Sequence, residues 1–184
     1  MSMEIHQVFG SAHVAENAEV YGNSEVYGSS KVFGYAQVYG DSEVYGNAQV
    51  FGKSQVYGEA KIYRLAKIYD NAQITGNALV CGNAEIGGKV IICDNLMINK
   101  NALIHSKLDY IFVDSLGHNG HSIIFFREKD GWSGSWKGSG KFDFNSIDNF
   151  RKAVKELYGE SLIAKEYLLL ADLVEVRAER NKQL

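Results

Sequence analysis

The sequence predicts a mainly β fold: a parallel β-solenoid of five to six coils over residues 1–108, then a small α+β unit over residues 109–184. Two observations carry this. From Gln7 to Leu108 the chain repeats every six residues, seventeen times, without an insertion or deletion. At Asp109 the six-residue period stops, and strand and helix patterning replaces it.

Each hexad has the chemistry of a strand and a corner. Position two is Val or Ile in all seventeen hexads, and position six is Ala or Ser in fourteen, with Val90, Leu96 and Leu108 as the exceptions. Positions six, one, two and three, as in Ala18-Glu19-Val20-Tyr21, predict a four-residue strand. Alternation sends positions six and two inward and positions one and three outward. Position four is Gly in eleven hexads and Asn is commonest at position five, which are residue types suited to a tight corner. Three strands and three corners close a coil of eighteen residues, and a fixed short period of this kind marks a solenoid. The stack is expected to be about 27 Å long at ~4.8 Å per coil.

Residues eighteen apart stack, so the outer surface reads as columns at position three. The first face carries Phe9, Tyr27, Tyr45, Tyr63, Cys81 and Asn99; the second carries Ala15, Phe33, Phe51, Tyr69, Gly87 and His105. The third carries Tyr21, Tyr39, Tyr57, Thr75 and Cys93. Aromatic columns stabilise a ladder by a few tenths to about 1 kcal/mol per pair, so part of this pattern is structural. Exposed aromatic patches are also enriched at interfaces. Phe33, Phe51 and Tyr69 form the most apolar column and are assigned as the subunit seam, with Tyr21, Tyr39 and Tyr57 as a further contact column. Position one turns apolar at Leu79, Ile91, Met97 and Leu103, so the C-terminal segment is expected to cover the last two coils. Met1–His6 breaks register and is read as a short cap.

Nineteen basic and twenty-two acidic residues give a net charge of -3, which argues against a strongly cationic nucleic-acid binder. No apolar run reaches membrane-spanning length, and Met-Ser-Met-Glu is not a signal peptide, so the cytosol is the expected compartment. Cys81 and Cys93 both occupy position three, facing outward on different faces, too far apart for a disulfide.

Beyond Asp109, strands are expected at Asp109–Asp114, His121–Arg127 and Lys141–Phe144, with a hairpin turn at Lys129-Asp-Gly131. Ser146 is the expected N-cap of a helix burying Ile147, Phe150, Val154 and Leu157 and ending at Gly159. Ser161 opens a longer helix carrying Leu162, Tyr167, Leu170, Leu173 and Val174. His118 and His121, three apart in a Gly-containing turn, are read as solvent-facing, and no metal is expected because no third ligand converges on them. Trp132 and Trp136 fall on one side of a strand, as core residues or as a stacking platform. Gly138-Ser-Gly-Lys141 lacks the full spacing of a phosphate loop.

The hexads resemble those of left-handed parallel β-helix proteins, the hexapeptide-repeat superfamily that includes many acyltransferases. That resemblance implies a left-handed coil and a homotrimer. It also implies a histidine base near a subunit seam with coenzyme A along a neighbouring solenoid, and His105 is the position that fits, with His13 at the opposite end. Such enzymes interrupt their coils with a pocket-building loop, which this array lacks. The segment from Ser115 to Val174 resembles the C-terminal domain of hexapeptide-repeat proteins encoded by phages and prophages. The likeness rests on Ser115-Leu-Gly117, Phe126-Arg-Glu-Lys-Asp-Gly131, Gly140-Lys-Phe142, Ile147-Asp-Asn-Phe150 and Tyr167. Lys141 stands where that pattern has a cysteine, so cysteine chemistry is not expected here. The expected function is a non-enzymatic binding or structural module, a homotrimer with a protein partner and no cofactor, suggestive of a factor that inhibits a host protein. The candidate contact residues are the aromatic columns together with His118, His121, Trp132, Trp136 and Lys141. The alternative is a coenzyme A-dependent acyltransferase using His105.

Overall fold

The computed structural model describes residues 7–116, 120–137 and 141–181, and the chain divides into two units, Met1–Ser106 and Lys107–Leu184. The expected cap at Met1–His6, His118 and the Gly138–Gly140 segment lie outside the described residues, as does the Lys141 side chain.

The first unit is a parallel β-solenoid. Its strands form three sheets of six, six and five members, each strand pairing in parallel with the one eighteen residues on, as in Glu25↔Glu43 and Val26↔Val44. The expected four-residue strand is trimmed to two, positions one and two of each hexad. Intercoil bonding nevertheless continues past those two residues and round the corners. In one coil Glu25 N–H donates to Ser42 O at 2.9 Å, Tyr27 N–H to Val44 O at 2.9 Å and Ser29 N–H to Gly46 O at 2.7 Å. The coil is therefore a continuous ladder.

Inside, position two is sealed from solvent from Val26 to Ile104. Position six faces the narrowing corner, where a serine needs a partner for its hydroxyl. Ser24 Oγ donates to Tyr21 O at 2.8 Å, and Ser30, Ser42 and Ser54 repeat the bond to the carbonyl three residues back. Position four turns the corner at positive φ in sixteen successive hexads, and five of those residues are not glycine: Glu16, Arg64, Asp70, Asp94 and Lys100. The corner geometry thus belongs to the repeat.

The second unit is an antiparallel meander of Tyr110–Leu116, His121–Glu128, Gly131–Lys137 and Lys141–Phe144, with helices α1 (Ile147–Tyr158) and α2 (Leu162–Asn181). Glu128↔Gly131 pairing leaves a two-residue hairpin, Lys129-Asp130. The first strand runs two residues past its expected end through an irregularity between Val113 and Leu116, where Ser115 takes a φ of 57°. Ser146 Oγ accepts from Asn149 N–H at 3.1 Å, and Gly159 closes α1 by donating to Lys155 O at 2.9 Å.

The core of this unit joins Ile123, Phe125, Trp132, Trp136 and Phe144 of the sheet to Phe150 and Val154 of α1 and Ala164, Tyr167, Leu170, Ala171 and Val174 of α2. Gly134 sits between the tryptophans because Phe144 fills its place; a Cβ there would lie 2.4 Å from the Phe144 ring. Three leucines differ from expectation. Leu157 is 65% exposed, and Tyr158, one residue later on the helical turn, packs inward instead. Leu162 and Leu173 are also exposed, since α2 meets the core through Ala164 and Ala171, small residues that let the helix approach closely.

Candidate interaction faces

On each solenoid face the position-three rings stack in register. Ring centroids are 4.8 Å apart for Tyr27–Tyr45 and 5.0 Å for Tyr45–Tyr63, with the planes within 5° of parallel. The third face repeats this, with Tyr21–Tyr39 and Tyr39–Tyr57 both at 4.9 Å. On the second face Phe33–Phe51 are 4.9 Å apart and Phe51–Tyr69 5.4 Å. Because each ring covers the next ring's face, the columns offer neighbours a comb of ring edges. A ligand that needs a free aromatic plane finds none between the rungs.

The position-one columns are tied between coils. On the third face Gln55 Nε2 donates to Gln37 Oε1 and Gln37 Nε2 to Glu19 Oε2, each at 2.9 Å. On the first face Glu43 accepts from Lys61 Nζ at 2.5 Å and from Tyr27 Oη at 2.9 Å. The Lys61 bond holds the Glu43 carboxyl below its usual range, against an opposing push from burial. A depressed folded-state pKa contributes stability above the unfolded carboxylate range, and this is lost as pH falls through the folded value. Glu43→Gln is expected to lower stability by about 0.2–1 kcal/mol at neutral pH, as for a partly exposed pair. Thermal melts of both proteins should converge in acid; a difference that persists once the Glu43 carboxyl is fully protonated in the folded protein would exclude the ion pair as its source.

The second face has a feature at its far end. Gly87 leaves room for the Tyr69 ring, which a Cβ there would meet at 2.5 Å. Tyr69 can therefore reach two coils on, and its Oη lies 2.7 Å from His105 Nε2. Burial, Glu85 and Asp70 raise the Tyr69 pKa, so the phenol keeps its proton. His105, the catalytic candidate, is thus exposed and held by a tyrosine. Beside it Lys67 pairs with Glu85 at 2.7 Å, and Asp70 Oδ2 accepts from Gly88 N–H at 3.0 Å.

The other candidates have interior surroundings. His121 was expected to face solvent, yet it is 4% exposed. Its strand pairing draws it under α2, where Nδ1 lies 2.8 Å from Tyr167 Oη and its ring meets Trp136 edge-on at 5.7 Å. Trp132 and Trp136 are core residues beneath the helices. Cys81, expected to face outward into solvent, is 6% exposed, and its hydrogen bond is the largest cause of the raised Tyr63 pKa. Both thiols are free. A cavity of about 400 Å³ lies in the second unit, between Arg127, Glu128 and Trp132 of the hairpin and Ser146, Asp148 and Glu175 of the helices. Arg127 is itself bonded to Asp109 at 3.1 Å.

Two surface residues escaped the column reading. Position five is polar throughout the array except at Tyr35 and Leu65, which are 62% and 54% exposed. They stand at the two corners that border the second face. Their signal was present in the sequence as a break in the corner pattern. Among the described residues, no helix is long and apolar enough to cross a membrane. No protein-family model, no curated protein and no solved structure matches the chain.

Proposed function

We propose that this chain is a non-enzymatic binding module, in which the solenoid holds aromatic combs rigidly for contact with another macromolecule. The observation that carries this reading is the set of three ring columns, stacked at 4.8–5.4 Å on an array with no interrupting loop. Ring edges flanked by polar columns suit a protein surface, and flat, preorganised faces lose little entropy on docking. The likeness to the hexapeptide-repeat superfamily adds a left-handed coil and a homotrimer seamed at Phe33 and Phe51. The likeness of the C-terminal unit to phage-encoded proteins adds a host protein as the target, blocked by occupancy.

One observation favours the alternative, a coenzyme A-dependent acyltransferase: Tyr69 orients the exposed imidazole of His105. The two readings separate in one experiment. The tagged full chain is used for affinity capture from bacterial lysate with mass spectrometry, while acetyl-coenzyme A is titrated calorimetrically into the protein and into His105→Ala. The binding reading expects one stoichiometric protein partner and no heat from acetyl-coenzyme A. Saturable acetyl-coenzyme A binding that is lost in His105→Ala, with no captured partner, overturns it.

A further inference from the structure

The solenoid is electrically two-sided. Take the second face with its two bordering corners, over the coils that carry Phe33, Phe51 and Tyr69. This side bears Lys31, Lys53 and Arg64, with Lys67, which is paired to Glu85 of the next coil, and Asp70, whose carboxylate is engaged by Gly88 N–H. Lys31, Lys53 and Arg64 are exposed. Across the coil, the corner between the third and first faces, with the first-face position-one residues beside it, bears Glu25, Asp41, Glu43 and Glu59. Its one cation is Lys61, already paired with Glu43. The basic side is also the apolar one, with a phenyl column bordered by Tyr35 and Leu65. The acidic edge lies between two tyrosine columns.

From this pairing we propose that the basic, phenyl side docks onto the acidic, tyrosyl edge of a second copy of the chain. The inference rests on the solenoid being a binding surface and names what covers one side of it. Charge complementarity selects the occupant. Setting the second face against itself would oppose Lys31 and Lys53 with the same residues, and like charges facing each other are strongly disfavoured. Setting it against the acidic edge opposes lysine with glutamate and aspartate while burying Phe33, Phe51, Tyr35 and Leu65. A contact between two different patches is heterologous. It does not end at two copies: it closes into a ring of three or more or continues as a filament.

This asymmetry makes a complementation test possible. Variant one is Lys31→Glu with Lys53→Glu, which removes the basic side and leaves the acidic edge. Variant two is Asp41→Lys with Glu59→Lys, which does the reverse. Sedimentation velocity of the wild-type full chain should give particles of three or more copies. Each variant alone, with a wild-type circular dichroism spectrum, should sediment as a monomer. Mixed in equal amounts they should assemble again, because the intact side of variant two meets the intact edge of variant one and the two reversed patches also oppose unlike charges. A monomeric wild type, a discrete wild-type dimer, a folded variant that stays assembled, or a mixture of folded variants that stays monomeric would each overturn the proposal. None of these outcomes depends on the lysate capture, so loss of this contact and loss of the partner-binding reading are read separately.

Discussion

Trp136→Ala is expected to destabilise the C-terminal unit by about 3–5 kcal/mol, the range for removing a large buried aromatic side chain. Trp136 is 4% exposed, and its ring contacts the rings of His121, Phe142, Phe150, Tyr158 and Tyr167 at centroid distances of 4.9–6.4 Å. The side chain therefore joins the sheet to both helices. Truncation also removes the ring against which His121 packs edge-on. Near-ultraviolet circular dichroism should lose its tryptophan bands, and the transition of this unit should move far down in temperature. Trp136→Phe, which keeps an aromatic ring in the same place, should recover part of the loss. A melting transition unchanged in Trp136→Ala would mean that the ring is not part of the core.

Gly82→Ala is the second large effect, and it acts through the backbone. Gly82 has a φ of 74°, and a Cβ there would lie 2.6 Å from Lys100 O and 2.7 Å from Lys100 N. The left-handed conformation costs an L-residue about 1–2 kcal/mol, and overpacking adds about 1–3 kcal/mol. The opposing atoms are backbone in the next coil and cannot rotate away, so the intercoil bonds at that corner must lengthen. Arg64 provides the control, since it already occupies the same corner position one coil earlier with a φ of 63°. Arg64→Gly relieves that strain, with a partly offsetting gain in unfolded-state freedom, and should leave stability within about 1 kcal/mol of the parent. Chemical denaturation of the three proteins checks the order: Gly82→Ala well below the parent, Arg64→Gly near it. Equal stability of Gly82→Ala and the parent would exclude the tight corner.

The solenoid was legible because one rule, repeated seventeen times, leaves no competing assignment for Val and Ile at position two. Stacking of the columns followed from arithmetic on the same rule. In the C-terminal unit the strands and helix caps were legible, since Ser146, Gly159 and the Lys129-Asp130 turn have local chemistry that needs no partner. The helical faces were less so. Leucines attract assignment to a core, yet α2 meets the sheet through Ala164 and Ala171 beside Tyr167, Leu170 and Val174, while Leu162 and Leu173 stay outside, because close approach is decided by the surface opposite and not by the helix's own hydropathy. The interior position of His121 depends on Tyr167, forty-six residues away, and no local pattern carries that information. The Tyr69–His105 bond was hidden for another reason: it needs the missing side chain at Gly87, so the informative residue is the one with nothing to contribute.

The eighteen-residue coil imposes a phase on any change in length. A deletion of one or three residues would turn inward-facing positions outward. Loss of one whole hexad would keep every inward position inward, and the solenoid could still wind. All residues beyond the deletion would, however, move round by one face. A hexad lost between Phe33 and Phe51 would cut the phenyl stack and carry Lys67 to the acidic edge, while one lost between Tyr69 and His105 would set those two beneath different columns. Only gain or loss of a full coil keeps both the winding and the surface chemistry, so the array can lengthen or shorten in steps of eighteen while six-residue steps scramble what it displays. Fold and surface therefore answer to different periods of the same sequence, the first to six and the second to eighteen.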